Sequence, residues 1–356
     1  MPVIDADTHV DETEETWEYM NESELRFKPV TVMQQVQLAE GQVPGYDRFW
    51  LVDGHLRVRR IRNDTRTGTT QGTRELLDVP ARLRHMDELG VDVQVIYPTF
   101  FLSRVTDRPE VEVALCRSYN RWLAGRCAQS GGRLQWVAML PLLSIEAAVE
   151  EVRWAKEAGA CGVMKKGVEC GGRAAGDPYF YPVYAAASSN DIAICIHSGS
   201  GEMEHNDLRH DHASMWSRGL PVIDAFCSLV TKGVPDRFPG LRVGFIEAGS
   251  SWIPYALDVL WARQVRQAWH VSFDLKNDLL RQCRFYVACQ TQEDLPYLLE
   301  HGAEDSLVIG TDYSHADGSA EIEALSLIKQ KGDKREIAPV ASRKIVEDNP
   351  RALYGL

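Results

Sequence analysis

Short apolar runs recur along the chain, and four of them stop at a residue able to bind a metal ion. Ile4-Asp5-Ala6-Asp7-Thr8-His9, Ile194-Cys195-Ile196-His197, Val243-Gly244-Phe245-Ile246-Glu247 and Val308-Ile309-Gly310-Thr311-Asp312 each have the length of a buried strand. Residues i and i+2 of a strand project from one face, so Asp7 and His9 can share a ligand. Elsewhere the spacing turns helical. Leu83, Met86 and Leu89 lie on one helical face that Gly90 ends, and Val93-Gln94-Val95-Ile96-Tyr97-Pro98 follows as a strand.

The alternation then repeats. The pattern predicts helix 111–129 before strand 134–140, helix 145–158 before 162–165, helix 181–189 before 193–197, helix 222–231 before 242–247, helix 252–269 before 284–288, and helix 293–300 before 307–311. With the opening strand, this predicts eight parallel strands separated by helices, the pattern of a (β/α)8 TIM barrel. A helical tail over 320–354 is expected to pack outside it. Residues 11–74 lack a sustained helical period and are expected to form a cap inserted after strand 1, within one domain spanning 1–356. In the cap, Asp53-Gly54 between Phe49-Trp50-Leu51-Val52 and His55-Leu56-Arg57-Val58 predicts a hairpin, because Asp-Gly accepts the positive φ angles of a type I′ turn.

In such a barrel the active site forms at the C-terminal strand ends. Strands one, five, six and eight would aim Asp7, His9, His197, Glu247 and Asp312 at one cavity. Singly, His197 could be a hydrogen-bonded core histidine, and Asp7 or Asp312 a helix cap. Glu247, ending an apolar run, is costly to bury without a partner. Three ionised carboxylates with two neutral histidines would leave one divalent ion net negative, so the charge balance leans toward two ions, or toward one ion with a protonated carboxylate. Oxygen-rich ligation tilts the choice from zinc toward iron or manganese. Asp312 is the expected proton carrier, with His315 a second relay and Asp317 nearby.

Other residues carry two readings each. Lys165 and Lys166 end the fourth strand, as a carboxylated ligand or a substrate anchor, or as exposed or salt-bridged lysines. Glu12 is expected to be a solvated acid of the Asp11–Glu15 run, with reach to the metal as the alternative. The histidines between His205 and His212 read as loop residues after strand five; they and Trp216, like Trp50 in the cap, are expected near the pocket.

Composition narrows the class. A net charge of −12 disfavours a nucleic-acid partner, and the densest basic cluster, Arg57, Arg59, Arg60 and Arg62, reads as a solvated face or a substrate-carboxylate anchor. No apolar run approaches the ~20 residues that span a membrane, and the opening strand leaves no room for a signal-peptide pattern, which points to the cytoplasm. The eight cysteines include no C-x-x-C pair and read as buried thiols.

These motifs resemble those of the amidohydrolase superfamily, in the branch of aminocarboxymuconate-semialdehyde decarboxylase and the hydroxybenzoate decarboxylases. Asp7-Thr8-His9 is similar to the strand-one H-x-H motif with aspartate for the first histidine, Ile196-His197 to the strand-five histidine, and Gly310-Thr311-Asp312-Tyr313-Ser314-His315 to the segment after strand eight. The branch places a histidine at the end of strand six, where this chain has Glu247; a carboxylate there suits a second metal. The resemblance implies a metal-dependent hydrolase or decarboxylase acting on a small carboxylated organic substrate, using one or two divalent ions of iron, manganese or zinc. Two other classes stay open: a dinuclear iron or manganese oxygenase on the same fold, and a non-catalytic subunit that works beside a homologous chain. A homodimer is the expected assembly.

Overall fold

A computed structural model of the chain describes residues 1–36, 45–169, 171–199, 201, 219–267, 271–276, 278–316 and 318–356. Eight strands, β1 (Ile4–Val10), β2 (Val93–Pro98), β3 (Leu134–Met139), β4 (Gly162–Lys166), β5 (Ala193–His197), β6 (Val243–Ile246), β7 (Phe285–Cys289) and β8 (Leu307–Ile309), lie side by side in chain order. All ladders between them are parallel, and β1, β4 and β5 are buried along their whole length. Burial on both faces is what near-continuous apolar runs specify in a parallel sheet. The architecture is the (β/α)8 barrel that the alternation predicts.

The barrel closes just beyond β8. A parallel bridge joins Thr8 to Tyr313; the His9 amide donates to the Tyr313 carbonyl at 2.9 Å and the Asp312 amide to the Asp7 carbonyl at 3.0 Å. Asp5 adds a side-chain clasp, accepting from the Thr311 amide at 2.9 Å and the Thr311 hydroxyl at 2.7 Å. The approach is close enough to require glycine at 310, where a Cβ would lie 2.3 Å from Asp7 Cβ and 2.6 Å from its carbonyl oxygen.

Helices α1 (Val79–Leu89), α2 (Pro109–Cys127), α3 (Ile145–Glu157), α4 (Tyr181–Ser189), α5 (Gly219–Thr231) and α6 (Ile253–Gln267) connect the strands. Asp78 caps α1 by accepting from the Ala81 amide at 2.8 Å, and Gly90 ends it at φ 67°. The helix expected over 293–300 is only Leu295–Leu298, followed by a wide turn to Ala303. Glu293 stays outside it because its carboxylate accepts from the amides of Ser250, Ser251 and Gln290. The tail divides into Ala324–Asp333, Pro339–Arg343 and Asn349–Tyr354, joined by a turn over Lys344–Asp348.

Between β1 and α1 the Asp53-Gly54 hairpin forms with φ of 48° and 79°. A third strand, Val30–Val36, pairs with it along Gly45–Val52. The sequence hid this strand because Met33 and Gln34 break the alternation that Val30, Thr31 and Val32 begin. Arg59 is a correction to the solvated basic face: it is buried over the Trp50 ring at 4.0 Å and paired with Glu14 at 2.5 Å. Trp50 itself packs against Trp17 and Phe100. Arg82 is unexpected on a core-facing helical position; fully buried, it donates to Gln94 at 2.7 Å and to the Thr73 carbonyl at 3.2 Å, and stacks 3.4 Å from the Tyr313 ring.

Gly310→Ala should destabilise the protein by about 3 kcal/mol, because the seam must part to admit the methyl group. Urea unfolding measures this as a lower midpoint, and an unchanged midpoint would contradict the seam geometry.

Candidate metal centre

The seam delivers three potential ligands to one point. Asp7 and His9 lie on one face of β1, and Asp312 immediately precedes Tyr313, whose bridge to Thr8 closes the barrel. His9 Nε2 is 3.5 Å from Asp7 Oδ1 and 3.4 Å from Asp312 Oδ1. His197, at the end of β5, places Nε2 3.4 Å from Asp7 Oδ1 and Nδ1 3.3 Å from Glu247 Oε2. All five side chains predicted as ligands therefore converge.

Backbone carbonyls orient both histidines. His9 Nδ1 faces the Pro98 carbonyl at 3.0 Å and His197 Nδ1 the Ser198 carbonyl at 3.0 Å. A carbonyl only accepts, so Nδ1 carries the hydrogen in both rings; His9 Nε2 keeps its lone pair for a cation, whereas His197 Nε2 is hydrogen-bonded to Asp7 Oδ1 at 3.4 Å. His9 Nε2 and Glu247 Oε2 are buried and make no hydrogen bond among the described residues. Asp7, His9 and His197 offer ligand atoms within 4.8 Å of one another, as do His9, Asp312 and His315. Nitrogen and carboxylate donors of this kind fit a divalent transition metal.

The turns that present the carboxylates are strained. Glu247 and Asp312 sit in left-handed backbone conformation at φ 59° and 52°, with Ser314 at 87°. Such residues cost of order 1–3 kcal/mol each and persist where the surroundings over-determine them. Ser319 joins the two acids, its single hydroxyl lying within hydrogen-bond reach of Glu247 at 3.1 Å and of Asp312 at 3.0 Å. His315 Nδ1 lies 2.6 Å from Asp312 Oδ1, and its ring stacks on His9 at 4.0 Å.

Without a cation the charges conflict. Burial, then the neighbouring His315 and His197, hold His9 well below its usual range. Burial also opposes a charge on His197, but Asp7 and then Glu247 outweigh it and hold this imidazole up at about 9. Burial and the adjacent Asp312 push Glu247 above the usual carboxylate range. A cation among these groups would relieve both the repulsion and the desolvation. A cavity of about 90 Å³ beside them is lined by Asp7, Glu247, Asp312, Ser319 and Gln290, and another of about 280 Å³ by Asp312, His315 and residues 65–68 of the segment between β1 and α1.

The family model described as amidohydrolase matches residues 4–356. The chain belongs to the amidohydrolase family. It is 24% identical over 251 residues to 2-amino-3-carboxymuconate-6-semialdehyde decarboxylase of Dictyostelium discoideum, a match spanning 66% of each chain, just under two thirds of that relative's length. The fold is shared with a crystal structure of an amidohydrolase from Mycobacterium avium subsp. paratuberculosis, at TM-score 0.76, 20% identity and 99% coverage of both chains. It is also shared with dihydroxybenzoic acid decarboxylase from Polaromonas, crystallised with manganese and 2-nitroresorcinol, at TM-score 0.66, 18% identity, and 100% and 97% coverage. The relatives named for a reaction are decarboxylases, and the oxygenase expectation has no counterpart among them.

Two other expectations are corrected. Lys165 and Lys166 are not exposed: β4 is buried on both faces, and their ammonium groups donate to the carbonyls of Lys166 and Phe101 at 2.7 and 3.2 Å. Nor is Glu12 a solvated acid. It is buried, and its two oxygens accept from the amides of Thr99 at 3.0 Å and Phe100 at 2.9 Å. Ser319 and Thr99, which contact the site, carry no sequence signal, being single hydroxyls in loops. Asp317, the loop from His205 to His212 and Trp216 lie outside the described residues.

Burial pushes the Glu12 carboxyl up to about 8, against an ordinary value of 4.5. The folded chain therefore holds an extra proton between these values, and Glu12 lowers stability progressively as pH rises through that window. Glu12→Gln removes this contribution. In metal-free protein, the stability of the variant relative to the native chain should rise from pH 5 to pH 8 in urea titrations; a flat difference would contradict the buried acid.

Proposed function

We propose that this chain is a divalent-metal-dependent carboxy-lyase that decarboxylates a small carboxylated aromatic substrate. The observation that carries the proposal is the convergence of Asp7, His9, His197, Glu247 and Asp312 at the C-terminal rim, with His9 Nε2 and Glu247 Oε2 making no hydrogen bond among the described residues. The decarboxylases among its relatives support the choice of reaction. A bound divalent ion would polarise a substrate oxygen beside the scissile bond.

The chain's own residues then have distinct tasks. Asp7, His9, His197, Glu247 and Asp312 hold the metal, while Asp312 and His315, 2.6 Å apart, hold the proton that the reaction consumes. The bond from the ring carbon to the carboxylate breaks, carbon dioxide leaves, and the electron pair remaining on carbon takes that proton. Glu247 replaces the strand-six histidine expected of the branch, so electrophilic assistance from that position gives way to charge balance. Three carboxylates in a buried pocket favour two ions, and their oxygen-rich donor set favours manganese or iron over zinc. With a single ion, Glu247 would retain a proton.

The assembly we propose is a homodimer, the commonest closed arrangement, which sedimentation analysis would test. The setting we propose is the cytoplasm: the described cysteines are all free thiols, and no helix among the described residues is long and apolar enough to cross a membrane.

Chain reconstituted with manganese should hold about two ions by elemental analysis and release carbon dioxide from at least one member of a panel of hydroxybenzoates and related carboxylated aromatics. His197→Ala should lose the metal while keeping the native circular dichroism spectrum. Full metal content and activity in His197→Ala would contradict the ligand assignment; a metal-replete protein that releases no carbon dioxide across the panel would contradict the lyase reading.

A further inference from the structure

Glu12 and Thr99 lie outside the ligand set, yet they are tied to it. Thr99 follows the last residue of β2 and opens the short turn Phe100–Leu102. Glu12 reaches across from the loop after β1 and accepts from two successive amides, Thr99 at 3.0 Å and Phe100 at 2.9 Å. A carboxyl group that takes both amides fixes the orientation of that peptide pair, and with it the direction of the Thr99 side chain. The hydroxyl consequently lies 3.2 Å from His315 Nε2.

The other side of the imidazole is equally defined. Nδ1 lies 2.6 Å from Asp312 Oδ1, and the ring stacks on His9 at 4.0 Å with 25° between the planes. With the hydrogen on Nδ1, which faces Asp312 in close contact outside hydrogen-bond alignment, Nε2 is an acceptor and the Thr99 hydroxyl donates to it. Contacts at both nitrogens and on one face leave the ring little freedom to rotate away from Asp312. The carboxylate of Glu12 thus acts on the site from beyond its rim, through a backbone turn, a hydroxyl and a ring.

We propose that Glu12 and Thr99 form a positioning arm that holds the His315 ring against Asp312. The arm's geometry stands by itself; its contribution to turnover rests on the carboxy-lyase reading. Thr99 is a positioning residue that acts through His315. A valine at 99 keeps the volume and the amide bonded to Glu12 but removes the donor, whereas serine keeps the donor.

The test uses metal-free protein labelled with 15N-histidine, in which the His315 resonances are assigned by their loss in His315→Gln. Thr99→Val should move the Nε2 resonance toward that of an acceptor nitrogen without a donor, and Thr99→Ser should leave it in place. In manganese-loaded protein, Thr99→Val should lower kcat about tenfold, the loss expected for one such hydrogen bond, with KM and metal content unchanged, and Thr99→Ser should restore most of it. A turn-forming role alone would leave the Nε2 resonance of Thr99→Val where it was, and that result overturns the arm. A moved resonance with native kcat overturns its role in turnover. If the native protein released no carbon dioxide, the lyase reading would fall while the moved resonance still upheld the arm. Should Thr99→Val fail to fold, Glu12→Gln serves in its place, with a shift of Nε2 in the same direction expected and an unmoved resonance again overturning the arm.

Discussion

Two backbone hydrogen bonds, from His9 to Tyr313 and from Asp312 to Asp7, close the barrel and set the positions of the residues at its rim. The closure is tight enough that only glycine fits at 310. Asp7 and His9 come from the first strand of the chain and Asp312 from just past the last, so no local segment could assemble them. The same seam is held at Asp5, through Thr311, and at Ser314, whose hydroxyl donates to the His9 carbonyl at 2.8 Å. Folding the barrel and building the site are therefore one event.

That closure has an electrostatic consequence. Three carboxylates and two imidazoles are brought into a buried space, and among the described residues His9 Nε2 and Glu247 Oε2 find no hydrogen bond there. Left-handed backbone at Glu247 and Asp312 adds local strain at the two points where acid side chains are turned into the cavity. Buried like charges and strained turns both lower stability, and both are offset when a cation occupies the space between the ligands. Glu247 shifts this balance further than a histidine would, since it adds charge where the expected residue adds none.

The strands and the ligand set were legible in the sequence because each rests on a periodic signal. A run of apolar residues ending in Asp, Glu or His marks a buried strand and the rim residue at once, and β2 and β5 coincide with their predicted limits. What could not be read were contacts made by single side chains across the fold. Arg82 occupies a core position that helical spacing would give to an apolar residue, because Gln94, Thr73 and the Tyr313 ring wait for it. Glu12 sits in an acidic run that looks solvated, and only the turn at Thr99 and Phe100 explains its burial. Ser319 and Thr99 are ordinary loop hydroxyls whose partners lie far away in sequence. The strand Val30–Val36 was hidden by Met33 and Gln34, which break its alternation, and Glu293 left its expected helix for the amides of Ser250, Ser251 and Gln290.

The rim site requires cations among its five side chains. Anomalous scattering at the manganese edge, from crystals grown with manganese, measures this directly. Peaks within coordinating distance of Asp7, His9, His197, Glu247 and Asp312 are predicted. Manganese sites found only elsewhere on the molecule, with the rim side chains in contact solely with one another, would contradict the account.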